Sequence, residues 1–200
     1  MNAAQQPVPR VRGRPRSQAS EDAILDATLE LLSDCGYRDV TVEAIALRAG
    51  ASKSTIYRRW PTKENLVIAA FARSPVLRAP ARGDVRTQLA ATIAQFARYM
   101  QETPLGGVLP ALVAERARNP ALDHALQPLV RLRRAPIADI LVAAVARGEL
   151  PAGIDVEVVL DLLMGPVLQR IIVMGARVDR RFIDAVVRTV CDGLRAPAAG

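Results

Sequence analysis

The residues of this chain that are best suited to chemistry are suited to binding rather than to bond-making. Lys53, Ser54, Thr55, Tyr57, Arg58 and Arg59 stand almost side by side, directly behind the triplet Gly50-Ala51-Ser52. Lysine and arginine pair with guanine edges or phosphates, and threonine and tyrosine can touch a thymine methyl group. A short helix carrying this set suits the major groove of duplex DNA, which admits one α-helix. Nothing comparable speaks for catalysis. The sequence holds one histidine, His124, and two cysteines, Cys35 and Cys191. It has no nucleophile elbow, glycine-rich phosphate loop or metal-ligand cluster, so no enzyme, metal or cofactor is expected. His124 lies in a polar, proline-bounded stretch and is expected at the surface, whereas both cysteines sit in apolar patterns and are expected as buried free thiols.

Presenting those side chains requires two short helices at a fixed angle, and the sequence marks them with caps. Ser20, followed by Glu21 and Asp22 in a first turn, predicts a helix over about 21–35 in which Ile24, Ala27, Thr28, Leu31, Leu32 and Cys35 share a face and Gly36 ends it. Thr41 caps a second helix with Val42, Ile45, Ala46 and Ala49 inward and Gly50 at its end. Ser52 caps a third, Lys53 to about Arg59, which turns Ile56 and Trp60 toward a core before Pro61 stops it. Thr62 opens a fourth helix whose Leu66, Ala70 and Phe71 continue the apolar face. Two short helices joined by a glycine-containing turn form the helix-turn-helix geometry.

Beyond Pro75 and Pro80 the periodicity predicts longer helices over about 84–101, 105–118, 121–147, 155–175 and 179–195, with Pro104, Pro110, Pro120, Pro128 and Pro136 marking ends or kinks. The expected fold is all-α, about nine helices: a basic arm (1–19), a three-helix DNA-binding head (20–72) and a helical body (80–196). Half of the 200 residues are hydrophobic, enough for a real core, and a formal charge of +7 favours a polyanionic partner. The most apolar run, Val156 to Met174, is broken by Glu157, Asp161, Pro166, Gln169 and Arg170 and is expected as a buried helix, not a membrane span. Met1 to Ser20 is polar and basic, unlike a secretion signal, so a cytoplasmic protein is expected.

The ordered set Thr41-Val42-Glu43-Ala44-Ile45-Ala46, Ala49-Gly50-Ala51-Ser52-Lys53-Ser54-Thr55-Ile56-Tyr57-Arg58-Arg59-Trp60 and Lys63-Glu64-Asn65-Leu66 closely resembles the DNA-binding signature of the tetracycline-repressor (TetR/AcrR) family. The resemblance covers about residues 20–71. It implies that Thr41 contacts a phosphate as well as capping its helix, that Tyr57 lies against the backbone or a thymine methyl, and that Lys63 clamps a phosphate. Lys53, Ser54, Thr55 and Arg59 would face bases. Arg58 and Arg59 stand where many relatives carry histidine or another aromatic, so base preference does not carry over. Thr41 as a cap alone and Tyr57 as an exposed aromatic alone are the plainer alternatives. In the arm, Arg12-Gly13-Arg14-Pro15-Arg16 is similar to the core of an AT-hook. Arg12 and Arg14 would then enter a narrow minor groove; the alternative is a solvated tail that adds salt-sensitive affinity.

For the body, the resemblance implies a homodimer joined through its last two helices, a ligand cavity among the central helices, and release from a palindromic operator by an unknown small-molecule effector. Leu160, Leu163, Val167 and Ile171, and Phe182, Val186, Val190 and Leu194, offer apolar stripes for the dimer. Phe96, Tyr99, Met100, Leu112, Arg116, Leu163, Arg170 and Met174 are the cavity candidates, each open to an ordinary core or ion-pair role. Arg170, if buried, needs an anion, and Asp161 or Glu157 could supply it. A repressor is the expected function; an architectural DNA-binding protein without effector sensing is the alternative.

Overall fold

The computed structural model describes residues 16–195. Among these are nine α-helices and no strand: α1 (Arg16–Asp39), α2 (Val42–Ala49), α3 (Lys53–Arg59), α4 (Lys63–Arg73), α5 (Val85–Glu102), α6 (Leu105–Arg116), α7 (Pro120–Ala146), α8 (Val156–Leu168) and α9 (Arg180–Arg195). The fold is all-α, with a helix-turn-helix near the N-terminus and a helical bundle behind it. None of these helices is long and apolar enough to cross a membrane.

The expected caps form. Thr41 Oγ1 accepts from Ala44 N at 3.1 Å, Ser52 Oγ from Thr55 N at 3.2 Å, and Thr62 Oγ1 from Asn65 N at 3.1 Å. Gly50 closes α2 at φ 60°, a left-handed conformation that glycine adopts without a Cβ clash. α1 departs from expectation. It is already helical at Arg16, and Ser20 lies inside it rather than capping it. A serine costs a helix little, and Gln18 reaches Asp22 one turn on, at 3.4 Å. The acids expected to serve the helix dipole instead hold neighbouring helices: Glu21 pairs with Arg59 of α3, and Asp22 pairs with Arg73 of α4, which Asp26 also holds. Gly36, at φ 77° and ψ 175°, breaks the helix where a terminator was expected, and one further turn carries the buried Tyr37.

The prolines fall where the expected helix spans place them. Pro104 and Pro120 stand at the starts of α6 and α7, and Pro110, Pro128 and Pro136 lie inside helices. Each forfeits a backbone hydrogen bond, a cost of about 3 kcal/mol in a helix interior. In α7 it is offset by burying Ile137, Ile140, Leu141 and Ala144 just beyond Pro136. After Pro166 the chain runs from α8 into a π-helical turn, Gln169–Val173, and ends it at Gly175 with φ 59°.

Two apolar clusters organise the molecule. The first joins the head (Ile24, Leu32, Ile45, Ile56, Trp60, Leu66, Phe71) to Val108 and Leu112 of α6 and Leu122 and Leu126 of α7. The second packs α5, α7, α8 and α9. Head and body therefore share a core along α1 and α6. Gly107 makes that crossing possible: a Cβ there would stand 2.9 Å from Ser33 Cα, inside contact distance.

Cys35 corrects the thiol expectation: it is exposed, with Sγ 3.1 Å from Leu31 O, whereas Cys191 is buried. His124 is exposed, as expected.

Candidate nucleic-acid interface and ligand cavity

Ile56 is fully buried and Trp60 nearly so, and they anchor α3 to the head. With that face fixed, helical spacing turns Lys53, Ser54, Tyr57 and Arg58 outward, where all four are exposed; Tyr57 retains 47 % of its surface. Thr55 is half-buried and its hydroxyl lies 2.9 Å from Ser52 Oγ. Lys53 Nζ donates to Glu43 Oε1 of α2 at 2.9 Å, and this exposed pair holds the Glu43 carboxyl below its ordinary value through that hydrogen bond. Thr41 is exposed at the start of α2, on the helix preceding the recognition turn.

One expected base contact is placed differently, and Lys63 is held by its neighbours at the start of α4. Arg59 is half-buried and paired with Glu21 of α1, so it ties α3 to α1 rather than standing in the outward row. Lys63 Nζ sits 4.4 Å from the centroid of the Tyr37 ring and donates to Arg38 O at 3.3 Å. Burial lowers its pKa. Beside it Tyr37 Oη donates to Glu64 Oε1 at 2.6 Å, and Asn119 Nδ2 from the start of α7 donates to the same oxygen at 3.1 Å. Arg12 and Arg14 lie outside the described residues.

Behind α4 lies a cavity of about 360 Å³ between α5, α6, α7 and α8, a volume typical of small-molecule sites. Of the residues expected to line it, Phe96, Tyr99 and Arg116 do so. Met100, Leu112 and Leu163 are instead core residues, and Met174 is exposed. Arg170 is also exposed, stacked 4.2 Å over the Phe182 ring, and needs no anion. Its suggested partners, Glu157 and Asp161, are taken by Arg134 of α7 at 3.0 and 2.7 Å. Sequence reasoning missed Phe71, Arg133, Arg134 and Met164, which line the cavity from α4, α7 and α8. Their helices are separated by long stretches of sequence, and no local pattern brings them together.

The dimer stripe is also rephased. Leu160, Leu163 and Val167 are fully buried within the protomer, so their face belongs to its own core. The outward face of α8 carries Val158 and Leu162, about half exposed, with Val173 beyond them on the π-helical turn. On α9, Phe182, Val186, Val190 and Leu194 are half-buried beside the buried Ile183, Val187 and Cys191. Ile171 is half-buried.

An outward polar row on a capped helix, carried by an all-helical body with an internal cavity, defines a helix-turn-helix DNA-binding regulator. Residues 24–70 match the model of bacterial regulatory proteins of the tetR family, and residues 79–190 match the tetracyclin repressor-like C-terminal domain. The chain belongs to the TetR family of transcriptional regulators. It is 31% identical over 199 residues to the HTH-type transcriptional regulator YdeS of Bacillus subtilis (strain 168), covering 94% of this chain and 96% of that one. It is 30% identical over 192 residues to the DNA-binding transcriptional repressor TetR of Mycobacteroides abscessus, covering 92% and 98%. The crystal structure of the TetR family transcription regulator SCO0332 superposes with a TM-score of 0.70 at 32% identity, covering 89% of this chain and 99% of that one. All three are described as regulators or repressors of transcription, and no cluster of candidate metal ligands occurs among the described residues.

Proposed function

We propose that the chain is a homodimeric repressor that holds an inverted-repeat operator and releases it when a small molecule fills the cavity behind α4. The observation that carries the DNA part is the exposed row Lys53, Ser54, Tyr57 and Arg58 on a helix whose other face is fixed by Ile56 and Trp60. In this reading Lys53, Ser54 and Thr55 meet base edges at the N-terminal end of α3, while Thr41, Tyr57, Arg58 and Lys63 hold backbone phosphates and set the register. Arg59 docks α3 onto α1 through Glu21. Arg12 and Arg14 extend contact into the flanking minor groove.

Residues 20–72 act as the reading head and 80–196 as the sensing and dimerising body. The dimer forms through α8 and α9, where Val158 and Leu162 leave an apolar face exposed and Phe182, Val186 and Val190 lie half-open beside it. A twofold molecule presents two α3 helices to successive major grooves, and an effector that favours a different separation of them lowers operator affinity. Repression as the sign of control follows the relative described as a repressor.

Selection of duplexes from a randomised pool tests this reading. An enriched inverted repeat is expected, with Ser54→Ala and Thr55→Ala each changing the preference at one position per half-site by about 1–3 kcal/mol. Length-dependent coating without enrichment would instead mark an architectural DNA-binding protein.

A further inference from the structure

We propose that the cavity behind α4 takes an apolar carboxylate and that Arg133 receives its head group; this rests on the effector role just assigned to the cavity. Three arginines line the cavity, and they differ in how their charge is compensated. Arg116 pairs with Asp123 at 2.6 Å, and Arg134 pairs with Glu157 and Asp161. Arg133 has no carboxylate partner among the described residues. Its guanidinium donates only to neutral backbone oxygens, those of Phe71, Ser74 and Pro75, and its buried Nε has no hydrogen-bond partner.

The rest of the wall is mainly apolar, with Phe96, Ile137, Leu160 and Met164 among its residues. A cation held there by neutral groups has lost hydration without gaining a counter-charge. A neutral ligand leaves that imbalance as it is, and a cationic one worsens it. A carboxylate corrects it, because its two oxygens match the fork of a guanidinium. An adjoining recess of about 230 Å³ shares Arg116 and Arg134 with the cavity and adds Arg131.

The place of Arg133 also says what its capture does. The three carbonyls that it holds close the end of α4, and its guanidinium lies 4.5 Å from the centroid of the Phe71 ring. α4 follows α3 directly, across Trp60, Pro61 and Thr62. A carboxylate drawn to Arg133 competes with those carbonyls for the same N–H groups, so filling the cavity loosens the tie between α7 and the end of α4. One residue then serves as ligand receptor and as link to the head.

Calorimetric titration of the full chain with matched pairs tests the proposal: octanoate against octanol, decanoate against decanol, and naphthoate against naphthol. In at least one pair the acid is expected to bind about ten-fold or more tightly than the alcohol. Arg133→Gln should bring the two close to parity, and a cooperative thermal unfolding transition reports that the variant is folded. The acid should release a selected operator duplex from the wild type, whereas Arg133→Gln, which lacks the tie to the α4 carbonyls, should hold the duplex more weakly without ligand and lose no further affinity when the acid is added. Acids that bind no better than their alcohols, or no binding by either member of any pair, overturn the ligand class. An acid preference that survives in Arg133→Gln overturns the assignment to Arg133. In the first case, alcohols that still displace DNA would leave the effector role of the cavity standing.

Discussion

Tyr37 is the residue through which the end of α1, the start of α4 and the start of α7 meet. Its buried hydroxyl donates to Glu64, and Asn119 donates to the same carboxylate. Burial, followed by the bond to Glu64, raises the pKa of the hydroxyl, so it remains a donor at any physiological pH. The Tyr37 bond in turn is the main reason that the Glu64 carboxyl is held below its ordinary value. A depressed carboxylate stabilises the fold above its unfolded pKa, about 4.3, and that contribution fades as pH falls through the folded value. Tyr37→Phe is expected to cost about 1.5–3 kcal/mol at neutral pH, the worth of a hydrogen bond to a charged group. Urea unfolding at neutral and acidic pH checks this: the gap between wild type and variant should narrow on acidification, and an equal gap at both would refute the linkage. On the proposed DNA face, Lys53→Ala and Arg58→Ala should each weaken binding, and where the lost contact is a phosphate the salt slope should shrink by about one. Arg59→Ala should chiefly lower stability, by about 1 kcal/mol for a half-exposed ion pair, with base preference retained. The outward row was legible in the sequence because Ile56 and Trp60 fix the phase of α3. The diversion of Arg59 to Glu21 was not, since that pair joins residues 38 positions apart.

At the scale of elements, local chemistry and long-range packing were unequally readable. α2, α3 and α4 begin where Thr41, Ser52 and Thr62 stand because a capping hydroxyl acts within three residues. The same logic misplaced the start of α1: Ser20 followed by acids reads as a cap, yet those acids are recruited by Arg59 and Arg73 from other helices. Periodicity finds apolar stripes but not their partners. In α8 the stripe of Leu160, Leu163 and Val167 is core, and the neighbouring Val158 and Leu162 face outward. The α1–α6 crossing left only Gly107 as its trace. Gly107→Ala should destabilise the protein by about 1–3 kcal/mol, because the added methyl group meets the Ser33 backbone and the helices must separate. Thermal unfolding should show a fall of several degrees. An unchanged midpoint would mean that α1 and α6 approach less closely than described.

At the scale of the whole molecule, the proposed function makes affinity for an inverted repeat depend on two heads acting at once. Leu162 stands in the exposed face of α8 and outside the protomer's core, so Leu162→Asp should leave the fold intact while placing a charge in the proposed interface. Sedimentation should then show a monomer, and operator affinity should fall by about two orders of magnitude as the second contact is lost. A dimer that survives the substitution would move the interface elsewhere. The sharing of one apolar cluster by α1, α4, α6 and α7 makes the head part of the body's packing, so a change around the cavity has a solid path to α3. That continuity could not be seen in the sequence, where head and body are separated by the proline-marked segment from Ser74 to Gly83. The claim on which everything else rests is that two α3 helices read one duplex together. Hydroxyl-radical footprinting of the full chain on a selected duplex tests it most directly. Two protected patches related by a dyad and centred one helical turn, about 34–36 Å, or a multiple of it apart are the predicted result. A single patch, or uniform protection along the duplex, would contradict it.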